Sequence, residues 1–95
     1  MLTSKQKKYL KSEAHHLNAI FQIGKDGVHE KQIDSIDDAL NAKELIKVKL
    51  LDTCPIPVKV AALEISTYTK AEVVQIVGHT IVLYRKSDKE LFRLP

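Results

Sequence analysis

From Glu72 to Lys86 the chain reads Glu-Val-Val-Gln-Ile-Val-Gly-His-Thr-Ile-Val-Leu-Tyr-Arg-Lys, two β-branched runs hinged on Gly78-His79. Such runs favour strands, because branched side chains pack well on a pleated surface. A two-residue connection with glycine first fits a type II′ turn, whose twist matches an antiparallel pair. The chain is therefore expected to form a tight hairpin over 72–77 and 80–86. The turn predicts the pairing of Val77 with Thr80, Ile76 with Ile81, Val74 with Leu83 and Glu72 with Arg85. An isolated hairpin is marginal in water, so other elements must cover it.

The rest of the chain supplies them. Thr3-Ser4-Lys5-Gln6 has the form of a capping box. Leu10, Ala14 and Leu17 follow at helical spacing, so a first helix is expected over about 4–16. Ala19–Ile23 is a short apolar strand stopped by Gly24. Helical spacing resumes with Ile33, Ile36 and Leu40, giving a second helix over about 28–41. From Leu45 to Leu51, Ile46, Val48 and Leu50 alternate with Lys47 and Lys49, which marks a strand with one buried and one wet face. Pro57 suits the first turn of a third helix, continued by Val58, Ala61, Ala62, Ile65 and Tyr68 to near Thr69. The last nine residues are polar apart from Leu91, Phe92, Leu94 and Pro95, and read as a partly docked tail.

The order is helix, then β-α-β-α-β-β. Strand-helix-strand units cross over right-handed and place their strands parallel. The expected fold is a two-layer α/β domain over residues 1–95, a four-stranded mixed sheet with the second and third helices on one face. A content of 44% hydrophobic and 28% charged residues supports a globular chain. With Tyr9, Phe21, Tyr68, Tyr84 and Phe92 as the only aromatics, the core must be aliphatic.

Charge is unevenly spread. Residues 1–25 hold Lys5, Lys7, Lys8, Lys11 and Lys25 against Glu13. Residues 26–42 hold Asp26, Glu30, Asp34, Asp37 and Asp38 against Lys31. Residues 43–86 turn basic again. This basic-acidic-basic order suggests one basic and one acidic face, and a basic face commonly meets nucleic acid or anionic lipid. No apolar run is long enough for a membrane span, and the lysine-bearing start is unlike a secretory leader. Cys54 is a lone thiol with no internal partner. A cytoplasmic location is the expectation.

Gly24-Lys25-Asp26-Gly27 stands out between a strand end and a helix start. Glycines permit close approach of backbone to a ligand, and a helix start offers unpaired N–H groups to an anion. A G-x-x-G loop clamps nucleotide backbone in KH domains, although there it joins two helices. The bland alternative is a turn that needs glycine for its geometry, with Asp26 capping the second helix. Lys5, Lys8 and Lys11 form a second basic feature at three-residue spacing. Lys47 and Lys49 form a third. Each alone is an ordinary solvated face, and they gain meaning only if folding brings them together.

Enzymatic signals are sparse. His15 and His16 are adjacent and cannot share a helix face as a metal pair. His29 and His79 stand alone, and no nucleophile motif is present. Cys54 near a helix start is expected to be a buried inert thiol. No catalysis, metal, cofactor or small-molecule substrate is expected.

The run from Ala71 to Arg85 resembles the C-terminal hairpin signature of the YhbY-like, or CRM, RNA-binding domain. Thr3-Ser4-Lys5-Gln6-Lys7 resembles its opening, Ile23-Gly24-Lys25-Asp26-Gly27-Val28 its G-x-x-G loop, and Glu44-Leu45-Ile46-Lys47-Val48-Lys49 its second strand. The motifs stand in order across nearly the whole chain. The resemblance implies a fold similar to the C-terminal domain of translation initiation factor three. For single-domain bacterial members it implies association with precursors of the large ribosomal subunit. It also implies RNA contact by Gly24, Lys25, Gly27 and nearby basic residues. The chain departs from the family pattern at Asp26, and at Thr69-Lys70, where the pattern has Thr-Gly. The expected partner is thus RNA, with large-subunit ribosomal RNA or a pre-ribosomal particle foremost, gripped by the loop with Lys5, Lys8, Lys11, Lys47 and Lys49. The rival expectation is a protein-docking module that uses the acidic face of the second helix.

Overall fold

The computed structural model describes residues 2–95. The elements are α1 (Ser4–Ala14), β1 (Phe21–Ile23), α2 (Glu30–Lys43), β2 (Leu45–Leu50), α3 (Val58–Thr69), β3 (Glu72–Val77) and β4 (Thr80–Tyr84). They build a four-stranded sheet in the order β1-β2-β4-β3. β1 and β2 run parallel, and β4 pairs antiparallel with both β2 and β3. This is the mixed sheet that the element order predicts.

The capping box forms: Thr3 Oγ1 accepts from the Gln6 amide at 3.1 Å and Gln6 Oε1 accepts from the Thr3 amide at 3.0 Å. At α2 the structure departs from the sequence pattern. The helix begins at Glu30, and its cap is His29, whose Nδ1 accepts from the Gln32 amide at 3.3 Å. Asp26 therefore does not cap it, and Gly27 and Val28 stand between Asp26 and the cap.

Alternation along the strands divides the core in two. Ile46, Val48 and Leu50 of β2 point with Ile23, Ile81 and Leu83 toward α2 and α3, where they meet Ile36, Leu40, Ala61 and Ile65. On the other face Leu45, Val74, Val82 and Tyr84 meet Leu10 and Ala14 of α1. Phe92 and Leu94 of the tail close the same cluster.

The hairpin turn forms as expected, with Gly78 at φ +58°. Val77 pairs with Thr80 and Ile76 with Ile81, but a bulge between Val73 and Gln75 then shifts the ladder. Gln75 faces Val82, Val73 faces Leu83 and Glu72 faces Tyr84. The expected pairings of Val74 with Leu83 and Glu72 with Arg85 are corrected accordingly. The bulge has a packing cause: Val73 and Ile76 join the α2–α3 core while Val74 joins the α1 cluster, which strict alternation forbids.

Arg85 leaves the ladder and ties three elements together. It pairs with the Asp37 carboxylate, donates to the Thr69 carbonyl at 2.6 Å, and reaches Asn41 Oδ1 at 2.9 Å. Glu44, between α2 and β2, is fully buried at φ +65°. Its carboxylate accepts from Ser87 N and Oγ at 2.7 and 2.6 Å, and from the Leu91 and Phe92 amides at 2.9 and 3.3 Å. Burial pushes the Glu44 pKa up, but these hydrogen bonds to Ser87, Phe92 and Leu91 outweigh it and hold the carboxyl below its usual value. The tail is thereby pinned to the sheet.

Candidate nucleic-acid interface

Three connections gather at one end of the sheet. The Leu51 amide donates to the Ile23 carbonyl at 2.9 Å, which sets the loop after β1 beside the loop after β2. The Leu50 amide donates to the His79 carbonyl at 2.8 Å, which brings in the hairpin turn. The glycine loop is a tight turn there, closed by the Gly27 amide on the Gly24 carbonyl at 3.0 Å. Lys25 and Asp26 are exposed at its tip. Gly27 sits at φ +64°, a conformation that favours glycine, while a Cβ there would meet Pro55 at an ordinary contact distance of 3.7 Å. Gly24 has room for a Cβ at ordinary contact distance from Thr53 and Leu51. The need for glycine at Gly27 is thus met by turn geometry.

The lysines of β2 lie elsewhere. Strand alternation places Lys47 and Lys49 on the α1 side of the sheet, where α1 covers only part of the surface. Beside the covered part is an open trough of about 290 Å³ lined by Lys11, His15, Lys47, Gln75 and Thr80 over apolar Val82. Lys11 and Lys47 therefore meet, although they are far apart in sequence. Lys47 is half-buried, and its Nζ donates to the Leu17 carbonyl at 3.0 Å, so its charge is held in place. Lys49 is exposed one pleat further along the same face, with Thr80 and Gln22 as ladder partners.

The remaining site lysines spread out from this centre. Lys8 is one helical turn before Lys11 on α1, and both are exposed. Lys5 lies a further turn away, toward the end where Gln6 Nε2 donates to the Pro95 carbonyl at 3.2 Å. Lys25 stands past the end of edge strand β1. His15, Gln75 and Thr80 join the trough without having been singled out by the sequence. Only His15 had a signal, its i+4 spacing from Lys11 along one helix flank.

The trough and the acidic run of α2 lie on opposite layers. The basic trough lies on the α1 side, whereas Glu30, Asp34 and Asp38 are exposed along α2 on the opposite layer. A second cleft, about 470 Å³, opens on that layer between Val28, Glu30, Ile33, Asp34 and the exposed Tyr68 of α3. His29 also lines it, but its Nδ1 is engaged in capping α2. Cys54 is half-buried against the α2–α3 core.

A family model for the CRS1 / YhbY (CRM) domain matches residues 2–85. The chain belongs to this family. The matched span holds every candidate lysine, the glycine loop and Arg85, and leaves the pinned tail beyond it. The CRM domain is 47% identical over 89 residues to the "Probable RNA-binding protein YqeI" of Bacillus subtilis (strain 168), covering 94% of this chain and 93% of that protein. It is 42% identical over 94 residues to an "RNA-binding protein" of Haemophilus influenzae, covering 99% and 95%. The solution structure of SAV1595 from Staphylococcus aureus superposes over the full length of both chains, with a TM-score of 0.80 and 45% identity. These likenesses establish the fold and the family on which the functional reading rests.

Proposed function

We propose that this CRM domain is an RNA-binding protein that grips backbone phosphates along the α1 side of its sheet. The observation that carries the reading is the meeting of Lys11, His15 and Lys47 in one open trough, on the layer opposite the acidic residues of α2. Lys49 and Lys8 extend the track, and Lys25 with the Gly24–Gly27 turn and Lys5 supply its outlying contacts. The target is ribosomal RNA in precursors of the large subunit, as the family resemblance implies. Binding is its whole activity in this reading, with no cofactor and no bond made or broken. Its place of action is the cytoplasm.

Three to five phosphate contacts give a log K against log salt slope of about −2 to −4. Fluorescence anisotropy on a ribosomal RNA fragment over a salt series measures it, and a slope near zero removes the electrostatic mechanism. The double variant Lys11→Glu and Lys47→Glu is expected to weaken binding about 10- to 100-fold. Sequencing RNA crosslinked to the protein in cells tests the target, and enrichment of other RNAs over large-subunit ribosomal RNA overturns it.

The cleft between α2 and Tyr68 favours a second reading, a docking surface for a basic protein segment. Glu30→Lys with Asp34→Lys would abolish such docking and leave RNA affinity intact.

A further inference from the structure

The trough differs from a single-strand-binding groove in what surrounds its lysines. Proteins that hold single strands combine a basic groove with exposed aromatic rings on which bases stack. Here no tyrosine or phenylalanine ring lines the trough, and the aromatic ring that does is the small imidazole of His15. Tyr84 is buried and meets Phe92 edge-on, with ring centroids 6.3 Å apart. The Tyr9 hydroxyl donates to Glu13 at 3.2 Å. Phe21 packs against the α2–α3 core, and Tyr68 is exposed on the far layer.

The groups that do line the trough are of another kind. Gln75 and Thr80 are uncharged hydrogen-bonding side chains, half-exposed among the cations. The regular ladder running back from the turn places Gln75 on this side, opposite Val82, before the bulge shifts the register. Gln22 stands next to Lys49 on the same face. Lysine, glutamine and threonine can together engage phosphate oxygens and ribose 2′-hydroxyls, the groups that an A-form duplex displays across its wide, shallow minor groove.

Rigidity argues the same way. Lys47 is fixed by the Leu17 carbonyl, and Lys11 rides on a helix anchored by buried Leu10 and Ala14. A cation held in place, as Lys47 is, suits a ligand whose phosphates are already fixed. A flexible strand would lose conformational freedom on this surface and gain stacking from no ring larger than His15 to offset it.

We infer that the RNA class recognised at this trough is base-paired, A-form RNA, held through phosphates and 2′-hydroxyls rather than through bases. This rests on the RNA-binding reading and narrows it. Gln75 and Thr80 set the preference for RNA over DNA, while Lys11, Lys47 and Lys49 supply the affinity common to both.

The test is fluorescence anisotropy on the intact chain with three labelled probes: an RNA duplex of about 20 base pairs, the DNA duplex of the same sequence, and a uridine strand of about 20 nucleotides. The RNA duplex is expected to bind at least about tenfold more tightly than the single strand, and several-fold more tightly than DNA. The pair Gln75→Ala and Thr80→Val, checked for folding by circular dichroism, is expected to bring RNA and DNA duplexes to near-equal affinity. Lys49→Ala, at an exposed position, should weaken both duplexes alike. Equal or tighter binding of the uridine strand overturns the inference and leaves the RNA-binding reading standing. Equal affinity of the unaltered protein for the two duplexes overturns the hydroxyl assignment. Failure of both RNA probes to bind at low salt overturns the RNA-binding reading itself.

Discussion

On one side of the sheet, α2 and α3 seal Ile46, Val48, Ile81 and Leu83 under a continuous aliphatic layer. On the other, α1 and the tail cover Leu45, Val74, Val82 and Tyr84 and stop there, leaving Lys47, Gln75 and Thr80 beside an open trough. The same strands serve both sides through alternation. The closed side spends its residues on burial, and the half-closed side keeps room for charge. The contrast shows how a small domain can hold a basic surface: Lys47 sits on a strand whose other face is the core, and Lys11 on the helix that covers part of this side.

The sharpest way to break this contrast is to weaken the closed side. Ile36 is fully buried among the α2–α3 core residues. Ile36→Ala is expected to cost about 3–4 kcal/mol in urea unfolding, because it removes buried methyl groups and leaves a cavity. The trough carries little of the fold. Lys11→Ala is expected to change stability by less than about 0.5 kcal/mol while weakening RNA binding. A Lys11→Ala penalty near that of Ile36→Ala would mean that the trough is part of the core.

The next largest effect lies where the tail closes the α1 side. Glu44→Ala removes the acceptor of the Ser87, Leu91 and Phe92 hydrogen bonds and is expected to cost about 2–3 kcal/mol. The pH dependence follows from the lowered pKa of Glu44. A depressed carboxyl contributes stability that is fully present above its unfolded value, here 4.5, and is lost as pH falls through the folded value. Unfolding midpoints of the wild type should therefore fall more steeply below pH 4.5 than those of Glu44→Gln. Parallel curves would mean that the Glu44 charge does not hold the tail.

Much of this was legible in the sequence, and the limits have physical reasons. The capping box at Thr3 and Gln6, the alternation of β2 and the Gly78 turn are local signals, and local physics decides them. The start of α2 was misplaced because histidine is not among the usual caps, so His29 gave no signal. The bulge was hidden because Val73 and Val74 are both apolar and satisfy either pairing. Lys11 and Lys47 could be named as basic residues, but their meeting depends on where α1 docks. That is settled by Leu10 and Ala14 finding Val82 and Leu45 across the fold. Gln75 and Thr80 were unreadable because a half-exposed polar residue on a strand looks the same whether or not it lines a trough.

The smallest effect concerns the link from the closed side into β3. Lys70, the residue that ends α3, adopts the left-handed conformation, φ +61° and ψ +24°. A side chain there crowds the backbone, at a cost of about 1 kcal/mol that glycine avoids. The neighbouring contacts hold the residue in place despite that cost. The Thr69 carbonyl accepts from Arg85, and Thr69 Oγ1 accepts from the Ala71 amide at 3.3 Å. Lys70→Gly is therefore expected to raise stability by about 0.5–1 kcal/mol, a gain tempered by the freedom glycine adds to the unfolded chain. Because Lys70 caps α3, on the layer away from the trough, RNA affinity should be unchanged. A fall in affinity would place Lys70 on the RNA track and extend the basic surface past the sheet edge, whereas a gain in stability alone keeps the two sides distinct.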